Sequence, residues 1–253
     1  MPEPPLRFGD IVIVGGGCYG RFYTTQLIEA RENGKLTYRH LLVVDRDPDC
    51  QLGQSTSDPG DYELVVQDWD VFFDGYLIQA AEENSVPPNS VIVPSPLMPH
   101  LMYRWLLRRA QARWPDRTVE TGSLEKRIGT PYETTAPDLT RYVSYADWIC
   151  PTHCIEPAVC PVIKAPRTWE MSEALEKYVG CSRRADGPVL FVCRHQVHGV
   201  GAFTVAEVLA GDQRVQQAGA GGGAVDVIVG TISACHGAVN ALHIGALSAL
   251  GNP

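Results

Sequence analysis

The segment DIVIVGGGCYGRFYTTQLIEAREN, residues 10–33, constrains this chain more than any other. A short β-branched apolar run meets three glycines, then a helix-forming stretch that stops at Gly34. Glycine lets a chain turn sharply and lets two backbones touch, and it closes helices at their C-terminal ends. The pattern therefore predicts a buried strand over 10–15, a tight turn, and a helix over 21–33. The same rhythm continues with strands over 37–45, 62–67 and 91–95, helices over 70–84 and 99–114, and a weaker strand over 118–123. Short apolar strands alternating with amphipathic helices imply an α/β protein, its mostly parallel sheet wound on both faces by helices.

The second half keeps this rhythm less regularly. Residues 142–150 have strand character and open into a Cys- and Pro-rich loop. A helix over 169–179, a strand over 188–193, the loop RHQVHGVG and a helix over 202–210 follow. The glycine-rich 218–224 reads as a flexible connector, and 225–233 as a strand. In the tail, Val239, Leu242, Leu247 and Leu250 keep near-helical spacing; a hairpin turning at His236-Gly237 is the alternative. Gly, Pro and Thr accumulate near 125–140. That places a boundary between a first domain, 1–130, and a Cys/His-rich α/β segment, 131–253, which extends or continues the first sheet.

Gly15, Gly17 and Gly20 form G-x-G-x-x-G, and Asp45 ends the second strand. The first glycine permits the turn, the second lets the backbone approach a pyrophosphate, and the third lets helix and strand pack closely. Free N–H groups at the helix start then hold the anion. With these residues the first ~95 positions resemble the Rossmann-type NAD(P)-binding domains of many dehydrogenases. The resemblance implies a Rossmann-like doubly wound sheet and a dinucleotide held by Gly15, Gly17, Gly20 and Asp45. An acid that accepts from the ribose hydroxyls favours NAD, while Arg46 beside it keeps NADP open. Flavin adenine dinucleotide and S-adenosylmethionine use similar turns.

Cys150, Cys154 and Cys160 are spaced C-x₃-C-x₅-C, stiffened by Pro151 and Pro161. Three thiols in so short a loop can reach one ion or cluster. Cys193, Cys181 and His153 are candidates for a fourth ligand. Cys-Pro pairs point to an iron–sulfur cluster somewhat more than to zinc. His195, His198 and His236 follow predicted strands and are the candidates for proton transfer. In an open parallel sheet, ligands bind beyond the carboxyl ends of the strands. If the strands before these loops ran parallel to the first, the glycine turn, thiols and imidazoles would share one rim. Glu156 and Asp147 are candidate bases, and Arg167, near Lys164 and Trp169, a candidate clamp for a carboxylate or phosphate. His40 and His100 open elements and read as structural or exposed, and His243 as a core histidine. Ser95 lacks the context of a nucleophile.

The formal net charge is −8 and no Lys/Arg run stands out, so no nucleic-acid partner is expected. The N-terminus does not read as a secretory signal, and Gly230–Leu250 is interrupted by His236, Asn240 and His243. A cytoplasmic protein without membrane insertion is expected. The resulting expectation is an NAD(P)-dependent oxidoreductase with a Cys-ligated metal or iron–sulfur site, acting on a small molecule and working with a protein redox partner or as a complex subunit. A nucleotide- or redox-sensing scaffold and an S-adenosylmethionine-dependent transferase are the alternatives.

Overall fold

The computed structural model describes residues 4–54, 60–83, 85–151 and 154–247. In chain order the elements are β1 (Leu6–Arg7), β2 (Asp10–Val14), α1 (Cys18–Glu32), β3 (Leu36–Thr37), β4 (His40–Asp45), β5 (Glu63–Val66), α2 (Trp69–Ile78) with a π-helical turn (Gln79–Glu83), β6 (Val91–Val93) and α3 (Leu101–Arg113). They continue as β7 (Val119–Gly122), β8 (Tyr132–Thr135), β9 (Arg141–Ser144), β10 (Val159–Cys160), β11 (Ala165–Pro166), α4 (Met171–Gly180), β12 (Ala185–Val192), β13 (Arg194–Val197), β14 (Val200–Thr204), α5 (Val205–Gly219), β15 (Val225–Ile232) and β16 (His236–Ile244). The protein is a mixed α/β fold in which no helix among the described residues is long and apolar enough to cross a membrane.

The chain divides into two compact units that interleave in sequence instead of meeting near 125–140. Unit 1 is Met1–Pro99, Cys150–Ala165 and Cys193–Leu209; unit 2 is His100–Ile149, Pro166–Val192 and Ala210–Pro253.

Unit 1 holds a six-stranded sheet in the order β13-β14-β6-β2-β4-β5. The strands β6, β2, β4 and β5 are mutually parallel, with β5 at one edge, while β14 and β13 are antiparallel additions. All five residues of β2 are buried, so both faces of the sheet are covered. On α1, the buried positions Gly20, Thr24, Leu27 and Ala30 recur at helical spacing, and Leu27 and Ala30 join the core built on Ile11, Ile13 and Val43. The helix closes as its sequence suggests. Gly34 has φ +67°, and the Lys35 N–H reaches back to the Ala30 carbonyl at 2.9 Å.

Unit 2 holds a separate sheet, β12-β15-β16-β9-β8, with β7 also on β16. Only β12 and β15 run parallel; β16 is antiparallel to β15, β7 and β9. The second segment therefore extends the first sheet only through β13 and β14, and its other paired strands form this second sheet or the small β10-β11 pair. Through Leu247 the tail is neither helix nor a turn at His236-Gly237: β15 and β16 form a hairpin that turns at Ser233–Cys235, and Leu250 lies outside the described residues. Residues 142–150 supply only the short antiparallel β9. Six consecutive residues of β15, Val227–Ile232, are buried, because both faces are covered. An antiparallel strand buried on both sides loses the alternation that would distinguish it from a parallel one.

Two further segments differ from their sequence reading. RHQV is strand, not loop: β13 turns through His198 (φ +46°) and Gly199 (φ +76°) into β14. Two successive positive φ angles match the twist of a two-residue hairpin. The connector at 218–224 is anchored, because the Arg117 guanidinium donates to the carbonyls of Gly219, Gly221 and Gly223, and also to that of Gly245.

Candidate functional site

The glycine turn joins β2 to α1 within unit 1. Gly15 has φ +88°, a conformation that a side chain resists. A Cβ on Gly20 would lie 1.8 Å from the Gly15 carbonyl oxygen, so only glycine lets α1 start this close to β2. Gly17 is different: it is the N-cap of α1, and a Cβ there would meet nothing within 4 Å. No side chain caps this end and no acid lies in the first turn. The leading N–H groups of a helix have no intrahelical acceptor, and the dipole favours an anion there.

Asp45 ends β4 beside this turn. Its Oδ2 accepts from the Gly16 N–H at 2.7 Å and its Oδ1 from the Asp47 N–H at 2.9 Å. A carboxylate offers about four lone-pair sites, so both oxygens keep capacity for further donors. The Arg46 guanidinium lies 5.7 Å from the Trp69 ring centroid. Gly16 is a requirement the motif does not contain: a Cβ there would sit 2.4 Å from the Cys50 Sγ. The signal for it was the glycine between Gly15 and Gly17.

The hairpin β13–β14 carries His195 and His198. Gly201 stands opposite His195, and a Cβ on it would come within 2.8 Å of the ring's Nε2. The ring therefore lies against bare backbone. Its Nδ1 is 3.6 Å from Glu156 Oε2, and Glu156 itself has φ +52°. Sequence spacing gave no reason to pair these two. His198 Nε2 is 3.0 Å from Lys35 Nζ. It lines a groove of about 1120 Å³ with Gln26, Glu29 and Ile155. That groove lies along the second half of α1, about 13 Å down the helix axis from Gly17.

The thiols do not assemble. Among the described residues no three His, Cys, Asp or Glu side chains are grouped to hold a metal ion, so Cys150, Cys154, Cys160 and Cys193 do not converge. Cys160 is buried, and the Cys154 Sγ accepts the Glu156 N–H. Burial, then the Glu156 and Glu207 carboxylates, pushes the Cys193 thiol up to about 12. Cys181 is exposed in unit 2, and His153 lies outside the described residues.

The shared rim also fails as an arrangement of one sheet. The strands before Cys193 and Ala234, β12 and β15, belong to the sheet of unit 2, and β9 is antiparallel. His236 is accordingly in unit 2, where its Nδ1 is 2.9 Å from the Ser144 Oγ. Arg167 is committed locally, to Glu170 and to the Trp169 carbonyl. His243 is not a core histidine but forms a cross-strand pair, its Nδ1 2.6 Å from Asp226 Oδ1.

Residues 102–245 match the family model described as "Uncharacterized protein, C-terminal domain", AF_1314_C. The chain belongs to this family. No curated protein and no solved structure matches it. The AF_1314_C match runs from α3 to β16 and leaves the glycine turn and Asp45 outside it.

Just before the AF_1314_C region, His100 is buried. Its ring stacks on Tyr103 with centroids 5.0 Å apart, and its Nδ1 is 2.9 Å from the Thr231 Oγ1. Burial, against smaller opposing effects of Asp138 and the Val229 backbone, holds its pKa down at about 3, from 6.5. The unfolded chain takes up this proton near pH 6.5; the folded chain does not until about pH 3. Stability from this residue is therefore complete above pH 6.5 and falls towards pH 3, by about 1.4 kcal/mol per pH unit. Urea denaturation at pH 5 should show about 2 kcal/mol less stability from this source than at pH 7. His100→Gln should flatten the difference; an equally steep loss in that variant would contradict the assignment.

Proposed function

We propose that unit 1 binds a dinucleotide of the NAD(P) type in a Rossmann-like manner, and that the protein is an NAD(P)-dependent oxidoreductase acting on a small molecule. The observation that carries this reading is the glycine turn: Gly15 at positive φ, Gly20 with no room for a Cβ, and Gly17 facing open space at an uncapped helix start. The parallel order β5-β4-β2-β6 supports it, since a strand order of this kind brings a switch point beside the first strand. The pyrophosphate would take the N–H groups after Gly17, and Asp45 would accept from the ribose. An acid at that point disfavours a 2′-phosphate, so NAD is the preferred form. The cofactor supplies hydride chemistry when bound. His195, with its Nδ1 3.6 Å from Glu156, is the proton-transfer group of this unit. Among the described residues the thiols are not grouped to hold a metal, and this proposal uses none.

Gly17→Val separates binding from folding. The new side chain enters open space, so the stability cost should be limited to about 1 kcal/mol, the loss of a favourable N-cap residue. Calorimetric affinity for NAD should fall roughly tenfold or more, because the side chain stands where the phosphate would lie. Unchanged affinity would remove the glycine turn from the site. Competition with NADP and S-adenosylhomocysteine separates the ligand classes.

A second reading, nucleotide sensing without turnover, is favoured by the division of the candidate histidines between units. Steady-state NADH oxidation with a panel of quinone and carbonyl acceptors distinguishes the two: a sensor binds and does not turn over.

A further inference from the structure

We propose that unit 2, within the AF_1314_C region, carries a second site, for a small planar anion: an aromatic ring bearing one carboxylate or phosphate. The place is a cavity of about 450 Å³, a size that suits a small molecule. Tyr145, Trp169 and the buried Tyr178 line it. The Tyr145 and Trp169 rings are stacked, 5.9 Å apart and inclined by 23°. Trp169 is pinned from behind, since its Nε1 donates to the Cys235 Sγ and Trp148 packs edge-on at 6.3 Å. Fixed aromatic faces favour a flat partner at little entropic cost.

Charge selects the sign. Lys126, Arg127 and Lys177 line the cavity, and so do Glu170 and Glu173. Glu170 is already held by Arg167. Glu133 lies 3.6 Å from both Arg127 and Arg141, so one carboxylate serves two guanidinium groups. Three cationic side chains thus line the cavity with two carboxylates, one of them already held by Arg167, in a chain whose formal net charge is −8. A local excess opposite to the protein's net charge attracts an anion against the general field. Lys126 and Lys177 are exposed and act as mobile point charges for a carboxylate or phosphate.

The site is independent of the dinucleotide reading, and its test is arranged to remain so. The full-length chain carrying Gly17→Val is titrated with benzoate and AMP, and with their neutral counterparts benzamide and adenosine. Binding is followed by ¹H–¹⁵N NMR at the Trp169 indole N–H and the Gly129 amide. At least one anion should shift both signals, its neutral counterpart binding at least about tenfold more weakly. Response to benzoate alone identifies a carboxylate site, and to AMP alone a phosphate site. The double variant Lys126→Gln/Lys177→Gln should lose about tenfold in affinity with an unchanged melting temperature. The proposal fails if neutral and anionic probes bind alike, if the shifts map elsewhere, or if neither signal moves at about 10 mM probe.

Discussion

Replacing Arg117 with Ala is expected to cost about 3–5 kcal/mol, a large part of the stability of an ordinary domain. The residue is 8% exposed. Its Nε donates to Gly245 at 2.7 Å, Nη1 to Gly219 at 2.5 Å and Gly221 at 3.1 Å, and Nη2 to Gly223 at 2.8 Å. One planar fork therefore closes the end of α5, the glycine connector and the end of β16. Each carbonyl left without a donor costs about 1–3 kcal/mol if water does not reach it. The connector glycines 221–223 are exposed, so water recovers part of that loss and the total stays below the full sum. The alanine also removes the guanidinium from the Trp114 ring, 5.6 Å away. Lysine should recover only a fraction, because a single ammonium does not span four acceptors set by a planar fork. Urea denaturation followed by circular dichroism measures the effect. A loss below about 1 kcal/mol would show that the carbonyls find other donors.

Gly20→Ala is the second large effect, and it falls on unit 1. The added methyl would lie 1.8 Å from the Gly15 carbonyl oxygen and 2.9 Å from its carbon. Neither is the tip of a flexible side chain, so β2 and α1 must separate. Overpacking of this kind costs about 1–3 kcal/mol, and the upper end is expected where backbone is the obstacle. The same movement shifts the N–H groups of α1, so nucleotide affinity should fall together with stability. Gly17→Val should lose affinity with at most about 1 kcal/mol of stability. The pair thus distinguishes a binding defect from a folding defect. Thermal melts and calorimetry on both variants provide the comparison; a Gly20→Ala protein as stable as the parent would contradict the close approach.

Much of unit 1 was legible because its parallel strands lie close together in sequence. DIVIV, HLLVVD, ELVV and VIV each stand apart from a helix signal, and the glycines mark the first crossover. Unit 2 was less legible. Its sheet is assembled from distant segments, and its central strands are buried on both faces, which removes the period-two signature. The hairpin of β13 and β14 turns at His198-Gly199, where no Asn-Gly or Asp-Gly signals a two-residue turn. The cysteine spacing misled because sequence proximity does not set side-chain direction. Short extended stretches hold that segment, burying Cys160 and leaving Cys154 beside its own backbone. The pairing of His195 with Glu156 and the reach of Arg117 were hidden for the same reason: long-range contacts made by single residues leave no periodic trace.

The central claim is that the glycine turn of unit 1 holds a dinucleotide. The most direct test is a crystal structure of the wild-type chain grown with NAD. The expected density places the pyrophosphate against the N–H groups following Gly17, with the adenosine ribose hydroxyls within hydrogen-bond distance of Asp45. Ordered NAD elsewhere on the chain, or an empty turn at saturating NAD, would contradict it.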